Sequence, residues 1–227
     1  MKDIINKIYH NKISSKIFHT LVYCLQKELK DCETVLDLGC GPSSPLQYCK
    51  NIKYSVGIEV FKPYYEKTKM KQIHTETINN EITELCFNKN SFEAVILIEV
   101  LEHLPKEEGK QILKKAEKWA KKKVIVSTPN GFIHQITLDN NPRQKHLSGW
   151  DYEIMRKLGF QLNGLAGLKC LRKESEDDIM GNDLLSPIKF KPKLFWFIIL
   201  SVSQIFVYFL PIVAFELFCV KQVNDRR

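Results

Sequence analysis

Apolar residues occur along the chain in two alternating patterns, short continuous runs and longer stretches with helical spacing. The runs VILI (95–98) and VIV (124–126) are apolar at consecutive positions, which is typical of strands buried on both faces of a parallel sheet. Between them, residues 106–121 place apolar side chains on one stripe of a helix and lysines on most of the remaining surface. Strands that alternate with helices in this way predict an α/β fold with a parallel sheet covered on both faces.

The same patterns predict the order of the elements. One or two amphipathic helices are expected within residues 3–29, and another helix is expected to begin at residues 42–44. Strands are predicted at 34–38, 54–60, 73–78, 92–98, 123–127 and 160–165. Helices are predicted at 63–71, 106–121 and 150–158. A chain of 227 residues is long enough for one such domain with an appendage.

The most apolar stretch lies near the C-terminus, where residues 194–210 read LFWFIILSVSQIFVYFL. A helix of these 17 residues spans only about 25 Å, less than the ~30 Å hydrocarbon core of a membrane. A longer helix that continued through Pro211 would place Glu216 in or near lipid. We therefore favour a helix that ends at Pro211, followed by an apolar strand at 213–220, over a transmembrane tail. Such a helix could cover an active site, dimerise or lie in a membrane interface.

Composition and charge narrow the function only slightly. The formal charge is +8, but the lysines are spread along the chain, and those on the helix at 106–121 fit a solvated face better than a nucleic-acid stripe. The seven cysteines form no CxxC pair and no clustered spacing with histidine, so neither a metal site nor a disulfide framework is expected. Reduced, mostly buried thiols in a cytosol fit these cysteines better. Charges interrupt the N-terminal stretch MKDIINKIYHNKIS, unlike a signal peptide.

A strand, a glycine turn and the expected helix start are encoded by VLDLGCGPSS (35–44). Gly39 and Gly41 let the backbone approach a ligand closely. The third glycine of GxGxxG and the lysine of GxxxxGK are both absent, so a ligand without a pyrophosphate is favoured. The next strand ends VGIEV and places Glu59 about 20 residues after the turn, where an acid accepts both hydroxyls of a ribose. A purely structural turn and a solvent-exposed glutamate are the alternatives.

Four segments resemble, in order, the successive motifs of class I S-adenosylmethionine-dependent methyltransferases. They are VLDLGCG, VGIEV, NSFEAVILIEVLEHL (90–104) and VIVSTPNGF (124–132). The resemblance covers residues 33–172 and is closest to the branch that includes the ubiquinone- and menaquinone-biosynthesis methyltransferases (methyltransferase domain types 11 and 12). It implies an enzyme with S-adenosyl-L-methionine as its cofactor. It also implies a Rossmann-like sheet of seven strands, mostly parallel with the last strand antiparallel, which the stretch at 213–220 would supply.

The resemblance divides the chain into four segments. Residues 1–29 would be an N-terminal helical segment, and residues 30–172 the Rossmann-like domain that binds the cofactor. Residues 173–211 would be an insertion with an acidic loop and the apolar helix, and residues 212–222 the final strand of the domain. The predicted fold class is therefore α/β, with N-terminal helices and an apolar helical insertion before the last strand.

The same resemblance implies roles for individual residues at the first two strands. Four residues of the first strand and its turn would hold the methionine end of the cofactor: Asp37, Gly39, Cys40 and Gly41. Glu59 would take the ribose diol, and Val60 would lie against the adenine.

Two further groups of residues are assigned in the same way. Glu81 matches the acid that receives the adenine amino group, with Ile82 packing on the ring. The family usually has aspartate at that position, and a solvent-facing Glu81 is the alternative. Three residues at the end of the fourth strand would form the floor beneath the sulfonium: Ile98, Glu99 and Val100.

The motifs say less about the residues that bind the methyl acceptor. His103 ends EVLEH after the fourth strand and His146 lies in KHLSGW after the fifth, so either could act as a general base near neutral pH. His103 could instead pack at a helix start, and His146 could fix the loop before the helix that contains Trp150. Asn130 and Trp150 are candidate residues of the acceptor pocket.

The leading hypothesis is a cytoplasmic methyltransferase with peripheral membrane contact through residues 194–210. It would methylate an oxygen of a small-molecule acceptor that is apolar or lipid-linked. A non-catalytic scaffold with a methyltransferase fold, and a protein or RNA methyltransferase, are the alternatives. The intact glycine turn and Glu59 argue against the scaffold, and the dispersed lysines argue against nucleic acid. The sequence leaves the oligomeric state open.

Overall fold

The computed structural model describes residues 11–135, 140–173, 185 and 187–223, so the start of the N-terminal segment and the acidic loop at 174–178 lie outside it. The described helices are α1 (Lys12–Ile17), α2 (Leu21–Glu28), α3 (Lys62–Lys71), α4 (Lys106–Trp119), α5 (Tyr152–Lys157) and α6 (Lys193–Val207). The strands are β1 (Thr34–Leu38), β2 (Tyr54–Ile58), β3 (Glu76–Ile78), β4 (Phe92–Ile98), β5 (Ala120–Pro129), β6 (Gln161–Leu168) and β7 (Ala214–Gln222).

The seven strands form one sheet in the order β3-β2-β1-β4-β5-β7-β6. Strand β7 runs antiparallel to both of its neighbours, β5 and β6, and the remaining pairs are parallel. The predicted Rossmann-like α/β fold is confirmed, including the antiparallel last strand and the apolar helix before it. Because the strand order reverses between β1 and β4, the loops at their carboxyl ends diverge and leave a crevice at that edge of the sheet.

The core has one layer on each face of the sheet. Leu36 and Leu38 of β1 join the cluster that contains the apolar stripe of α4, whereas Val35 joins the cluster that contains the buried side of α2. Successive side chains of a strand point to opposite faces, so a continuous apolar run fills both layers. This packing holds the carboxyl ends of the central strands in place around the crevice.

The helix expected to begin at residues 42–44 does not form. Ser44 precedes Pro45 and is extended, with φ −50° and ψ 135°, because the proline ring disfavours a helical conformation of the residue before it. The chain makes only a single 3₁₀ turn at Pro45–Tyr48 before it enters β2. The segment between β1 and β2 is therefore compact, and residues 42–45 stay at the crevice.

Helix α6 covers β6, the strand at the edge of the sheet. Two of its polar residues, Ser203 and Gln204, bind the backbone of that strand. Gln204 Oε1 accepts from the Gly167 N–H at 2.8 Å, and its Nε2 donates to the Gly164 carbonyl at 3.1 Å. A covered edge is protected from pairing with another chain. In the described part of the chain, every helix is too short or too polar to cross a membrane.

Gly109→Ala is expected to lower the free energy of unfolding by about 1–3 kcal/mol, although alanine stabilises an ordinary helix by roughly 1 kcal/mol relative to glycine. A Cβ at Gly109 would lie 2.4 Å from Cζ2 of Trp150, which is fully buried and donates through Nε1 to the Leu101 carbonyl. Urea denaturation measures the effect, with Gln111→Ala on the exposed face of α4 as the control. An unchanged or raised midpoint for Gly109→Ala would contradict this packing.

Candidate functional site

A cleft of about 380 Å³ lies at the crevice, at the carboxyl ends of β1, β2 and β4. Nine of the residues singled out in the sequence line it: Asp37, Gly39, Cys40, Gly41, Glu59, Ile98, Glu99, His103 and His146. Eight further residues line it that the sequence did not single out for a site: Pro42, Ser43, Ser44, Pro45, Tyr64, Glu102, Gln135 and Gln144. Six other candidates lie outside this lining: Val60, Glu81, Ile82, Val100, Asn130 and Trp150.

The glycine turn after β1 forms one wall of the cleft. Gly39 and Gly41 have positive φ angles of 69° and 58°, in the left-handed region that favours glycine. A Cβ at Gly39 would lie 2.7 Å from Cγ2 of Val100, whereas a Cβ at Gly41 would meet nothing within 4 Å. Val100 therefore packs against the turn and leaves no space for a side chain at Gly39.

Gly39→Ala is expected to lower the free energy of unfolding by about 2–5 kcal/mol, and Gly41→Ala by only about 1–2 kcal/mol. Both variants strain a left-handed backbone, but only the first also collides with Val100. Thermal and urea unfolding measure the difference. Combining Gly39→Ala with Val100→Ala should cost less than the sum of the two single changes, because the smaller side chain relieves the contact. Equal losses for the two glycines would count against this account.

Glu59 links the second strand to the glycine turn. It is 6% exposed, and its carboxylate accepts hydrogen bonds from the N–H groups of Gly41 (3.0 Å) and Phe61 (2.8 Å). Asn79 donates to the carbonyls of Glu59 and Val60 at 2.7 and 2.9 Å. Burial raises the pKa of Glu59, and the two N–H groups oppose this by stabilising the carboxylate. The carboxyl group is thus held in a defined position against the turn.

Asp37, at the end of β1, is fixed by two side chains. Its Oδ2 accepts from the Ser44 hydroxyl at 2.5 Å and lies 2.9 Å from Nε2 of His74. Sequence reasoning missed His74, and the available signal was Gly57 on the adjacent strand. A Cβ at Gly57 would lie 2.6 Å from Nδ1 of His74, so the glycine makes room for the ring.

Glu81 and Ile82 follow β3 outside the cleft lining. Glu81 forms an ion pair with Arg143 from the segment after β5. Ile82 is buried in the core layer that contains α4. The ion pair between Glu81 and Arg143 connects the segment after β3 to the segment after β5.

The end of the cleft beyond Ile98 is built from the turn after β4 and the loop after β5. The Leu147 N–H donates to the backbone carbonyl of Glu102 at 2.7 Å, which ties the loop to the turn. His103 and His146 face each other there, with ring centroids 4.9 Å apart. Nδ1 of His146 lies 2.7 Å from the carbonyl of Ile133, which orients its ring.

The titrating groups at this end have strongly shifted pKa values. Burial raises the pKa of Glu102 to about 8. Desolvation by the surrounding protein, followed by the nearby charge of Glu216, raises the pKa of Glu99 well above its ordinary range, because both disfavour the charged carboxylate. Burial, with a smaller contribution from His146, lowers the pKa of His103 to about 4. His103 is therefore an uncharged imidazole at neutral pH.

The last strand is linked to Glu99 of the cleft through Ser127 on β5. The Ser127 hydroxyl lies 2.5 Å from Oε1 of Glu99 and 2.6 Å from Oε1 of Glu216 on β7. The Ser127 hydroxyl has one hydrogen and can donate to only one of the two carboxylates. The other carboxyl group must be protonated, so that it donates a hydrogen bond to the Ser127 oxygen. The signal for Glu216 in the sequence was an acid inside the otherwise apolar stretch AFELFCV.

Asn130 and Trp150 support the site from outside it. Asn130 Nδ2 donates to the Ala214 carbonyl at 2.9 Å, and its Oδ1 accepts from the Tyr152 N–H at 3.1 Å. Trp150 is fully buried, and its Nε1 donates to Ser148 at 2.9 Å. The structure thus places both side chains in the packing that holds β5, β7 and the adjacent loop, rather than on the cleft surface.

Comparisons with known proteins give a consistent result. Residues 36–127 match the family model described as a methyltransferase domain, while no curated protein matches the chain in sequence. A SAM-dependent methyltransferase from Archaeoglobus fulgidus is 16% identical, with a TM-score of 0.53 and coverage of 94% of this chain and 99% of that one. The methyltransferase domain of bacterial CtHen1-C is 17% identical, with a TM-score of 0.53 and coverage of 90% and 97%. The PH0226 protein from Pyrococcus horikoshii OT3 is 22% identical, with a TM-score of 0.50 and coverage of 70% and 88%. At these identities the structural likenesses establish the fold alone.

Proposed function

We propose that this chain is a class I S-adenosylmethionine-dependent methyltransferase, since residues 36–127 match the methyltransferase-domain model, and that it methylates a hydroxyl oxygen of an apolar or lipid-linked acceptor. The cofactor supplies an electrophilic methyl group on a sulfonium sulfur. The protein has to place the acceptor oxygen in line with that methyl carbon and exclude water. The residues that surround the cleft suit both tasks.

The cleft has the features that a nucleoside cofactor requires. Its volume of about 380 Å³ lies in the range of small-molecule sites. The turn at 39–41 offers backbone without side-chain bulk at the glycines, and Glu59 offers a fixed carboxylate next to it. Each carboxylate oxygen that accepts one N–H bond can accept a second bond, so Glu59 can still receive the two ribose hydroxyls.

We assign the remaining cofactor contacts by position along the cleft and its flanks. The ammonium end would be held by the turn and its buried acid: Asp37, Gly39, Cys40 and Gly41. The adenine would lie towards β2 and β3, with packing and an amino-group acceptor from Val60, Ile82 and Glu81. The floor beneath the sulfonium would be formed at the end of β4 by Ile98, Glu99 and Val100.

The observation that carries a hydroxyl acceptor is the pair of histidine rings at the other end of the cleft. His103 is uncharged at neutral pH, and its ring stands 4.9 Å from that of His146. An uncharged imidazole presents a lone pair that can accept a hydroxyl proton. We propose that His103 and His146 act on the acceptor, and that Asn130 and Trp150 position the loop that carries His146.

The apolar face of α6 supports an apolar or membrane-presented acceptor. This apolar face consists of exposed side chains at helical spacing: Leu194, Phe195, Ile198, Val202 and Phe206. It continues into exposed Phe209 and Leu210, and Lys189 and Lys191 precede the helix. A helix with an exposed apolar face and nearby lysines suits shallow insertion into an anionic membrane surface. The contact would be peripheral.

Tritiated-methyl transfer from S-adenosylmethionine into a fractionated cell extract tests the acceptor class. Label is expected in the organic-solvent fraction, because an apolar acceptor partitions there. Label confined to protein or RNA would defeat the small-molecule proposal. No cofactor binding by calorimetry would favour the non-catalytic scaffold.

The membrane contact predicts that Ile198→Asp with Phe206→Asp weakens binding to anionic phospholipid vesicles by about 10- to 100-fold, because two apolar side chains no longer leave water. Vesicle flotation measures the change. The control is Met70→Asp, since Met70 is also apolar and is 77% exposed but lies on α3. Vesicle binding that is absent in the unaltered protein, or the same in all variants, would refute the contact.

A further inference from the structure

Three side chains at the acceptor end of the cleft form a compact group of potential metal ligands. Glu102, His103 and His146 each offer one ligand atom, and these atoms all lie within 4.8 Å of one another. Glu102 is 2% exposed, and its Oε2 accepts from the Thr128 hydroxyl at 3.1 Å. Its Oε1 has no hydrogen-bond partner among the described residues. Burying a carboxylate oxygen without a partner costs free energy, so a cation or a hydrogen-bond donor bound at this atom would stabilise the site.

The hydrogen bonds of the two rings determine which nitrogen can bind a metal. Nδ1 of His146 lies 2.7 Å from the Ile133 carbonyl, and Nδ1 of His103 lies 3.3 Å from the Lys145 carbonyl. A carbonyl only accepts, so Nδ1 carries the hydrogen in each ring and Nε2 carries the lone pair. Metal-binding histidines in proteins are oriented by this same bond from their second nitrogen to a carbonyl or carboxylate.

We propose that Glu102, His103 and His146 together bind one divalent first-row transition-metal ion, which holds the hydroxyl oxygen of the methyl acceptor. The second half of this proposal rests on the proposed function, whereas the first half stands without it. The ligands were not apparent in the sequence because His146 reaches the other two only through the loop after β5.

The donor set indicates the class of ion. Two imidazoles and one carboxylate suit Mn²⁺, Fe²⁺, Co²⁺ or Zn²⁺, whereas Mg²⁺ and Ca²⁺ prefer oxygen donors throughout. Three protein ligands leave coordination positions open, as in catalytic rather than structural sites. All three side chains line the cleft, so the open positions would face the bound acceptor.

An ion at this place would replace an imidazole as the group that acts on the acceptor. Coordination lowers the pKa of the hydroxyl, whose proton leaves to water. The acceptor oxygen then forms the new bond to the methyl carbon as the carbon–sulfur bond breaks with its electron pair on sulfur. The metal keeps its oxidation state, and the step needs no oxidant or reductant.

Metal binding by the intact protein is the direct test. After chelator treatment and removal of the chelator, titration with Co²⁺ is expected to give one bound equivalent, a visible absorption band of coordinated Co²⁺ and a raised melting temperature. Glu102→Gln, which keeps the side-chain shape, and His103→Ala and His146→Ala are each expected to weaken Co²⁺ binding by roughly 100-fold or more. His134→Ala is the matched control, because His134 is exposed and outside the cleft lining.

Each outcome decides one part of the proposal. No bound equivalent, or equal affinity in all variants that still bind S-adenosylmethionine, would overturn the metal site. Co²⁺ binding without S-adenosylmethionine binding in the unaltered protein would refute the proposed function and leave the metal site standing. If the metal binds but chelation leaves methyl transfer unchanged, the ion does not hold the acceptor. A loss of transfer on chelation that Mn²⁺, Co²⁺ or Zn²⁺ restores supports both halves.

Discussion

Glu59→Ala is expected to weaken S-adenosylmethionine binding by about 100-fold or more, since two hydrogen bonds to a charged group, each contributing about 1.5–3 kcal/mol, are lost. The carboxylate is 6% exposed and faces the cleft from the end of β2, next to the glycine turn. Isothermal titration calorimetry with S-adenosylmethionine and S-adenosylhomocysteine measures the loss. Both ligands carry the ribose, so both affinities should fall by the same factor.

Two comparisons separate this effect from damage to the fold. Glu59→Gln keeps the side-chain shape but replaces one acceptor oxygen with a donor, so it should lose most of the affinity for S-adenosylmethionine. Unlike alanine, glutamine can still accept the hydrogen bond from the N–H of Gly41 or of Phe61. Glu66→Ala removes an exposed glutamate from α3 and should leave the affinity unchanged. A Glu59→Ala protein that unfolds at its usual temperature and binds both ligands with full affinity would refute the assigned ribose contact.

His146→Ala is expected to lower methyl transfer by about 10²- to 10⁴-fold, the usual contribution of a group that acts on a reacting proton or oxygen. The ring is buried, is oriented by the Ile133 carbonyl and stands beside His103 in the cleft. Tritium incorporation into the organic-solvent fraction measures the rate. The affinity for S-adenosylmethionine should change little, because the proposed cofactor contacts lie on β1, β2, β3 and the end of β4.

His134→Ala serves again as the control, since it removes an exposed histidine from the same loop region. It should retain full transfer. An active His146→Ala protein would remove the acceptor assignment for this end of the cleft. A His146→Ala protein that loses cofactor affinity in step with its activity would show that His146 only supports the fold of the loop.

The alternation of apolar runs and helical stripes was sufficient to predict the α/β sheet, because a strand buried on both faces needs apolar residues at every position. The failure at residues 42–44 has an equally local cause. Pro45 keeps Ser44 extended, so a single 3₁₀ turn forms where the helix was expected. The last strand was predictable from the apolar run after Pro211, and in the structure it lies between β5 and β6.

Some residues of the candidate site were predictable from the sequence and others were not. Asp37, Gly39, Gly41 and Glu59 were found in the sequence because they lie at or just after the ends of strands, and the carboxyl ends of neighbouring parallel strands meet at one edge. His74, Glu102 and Glu216 were missed, because their positions depend on packing between segments far apart in the chain. Trp150 was assigned to the acceptor pocket from its position after the fifth strand, but it lies in the core beside Gly109.

The sequence by itself determined the sheet, the glycine turn and the carboxylate one strand away. The local pattern of apolar residues decides which segments form strands and helices, and a parallel sheet places the carboxyl ends of its strands at one edge. Only the tertiary structure decided which side chains meet beyond the strand ends. The loop after β5 brings His146 to Glu102 and His103, and the antiparallel register of β7 brings Glu216 to Ser127. Those contacts depend on loop conformation and strand register, and no local spacing in the chain encodes either one.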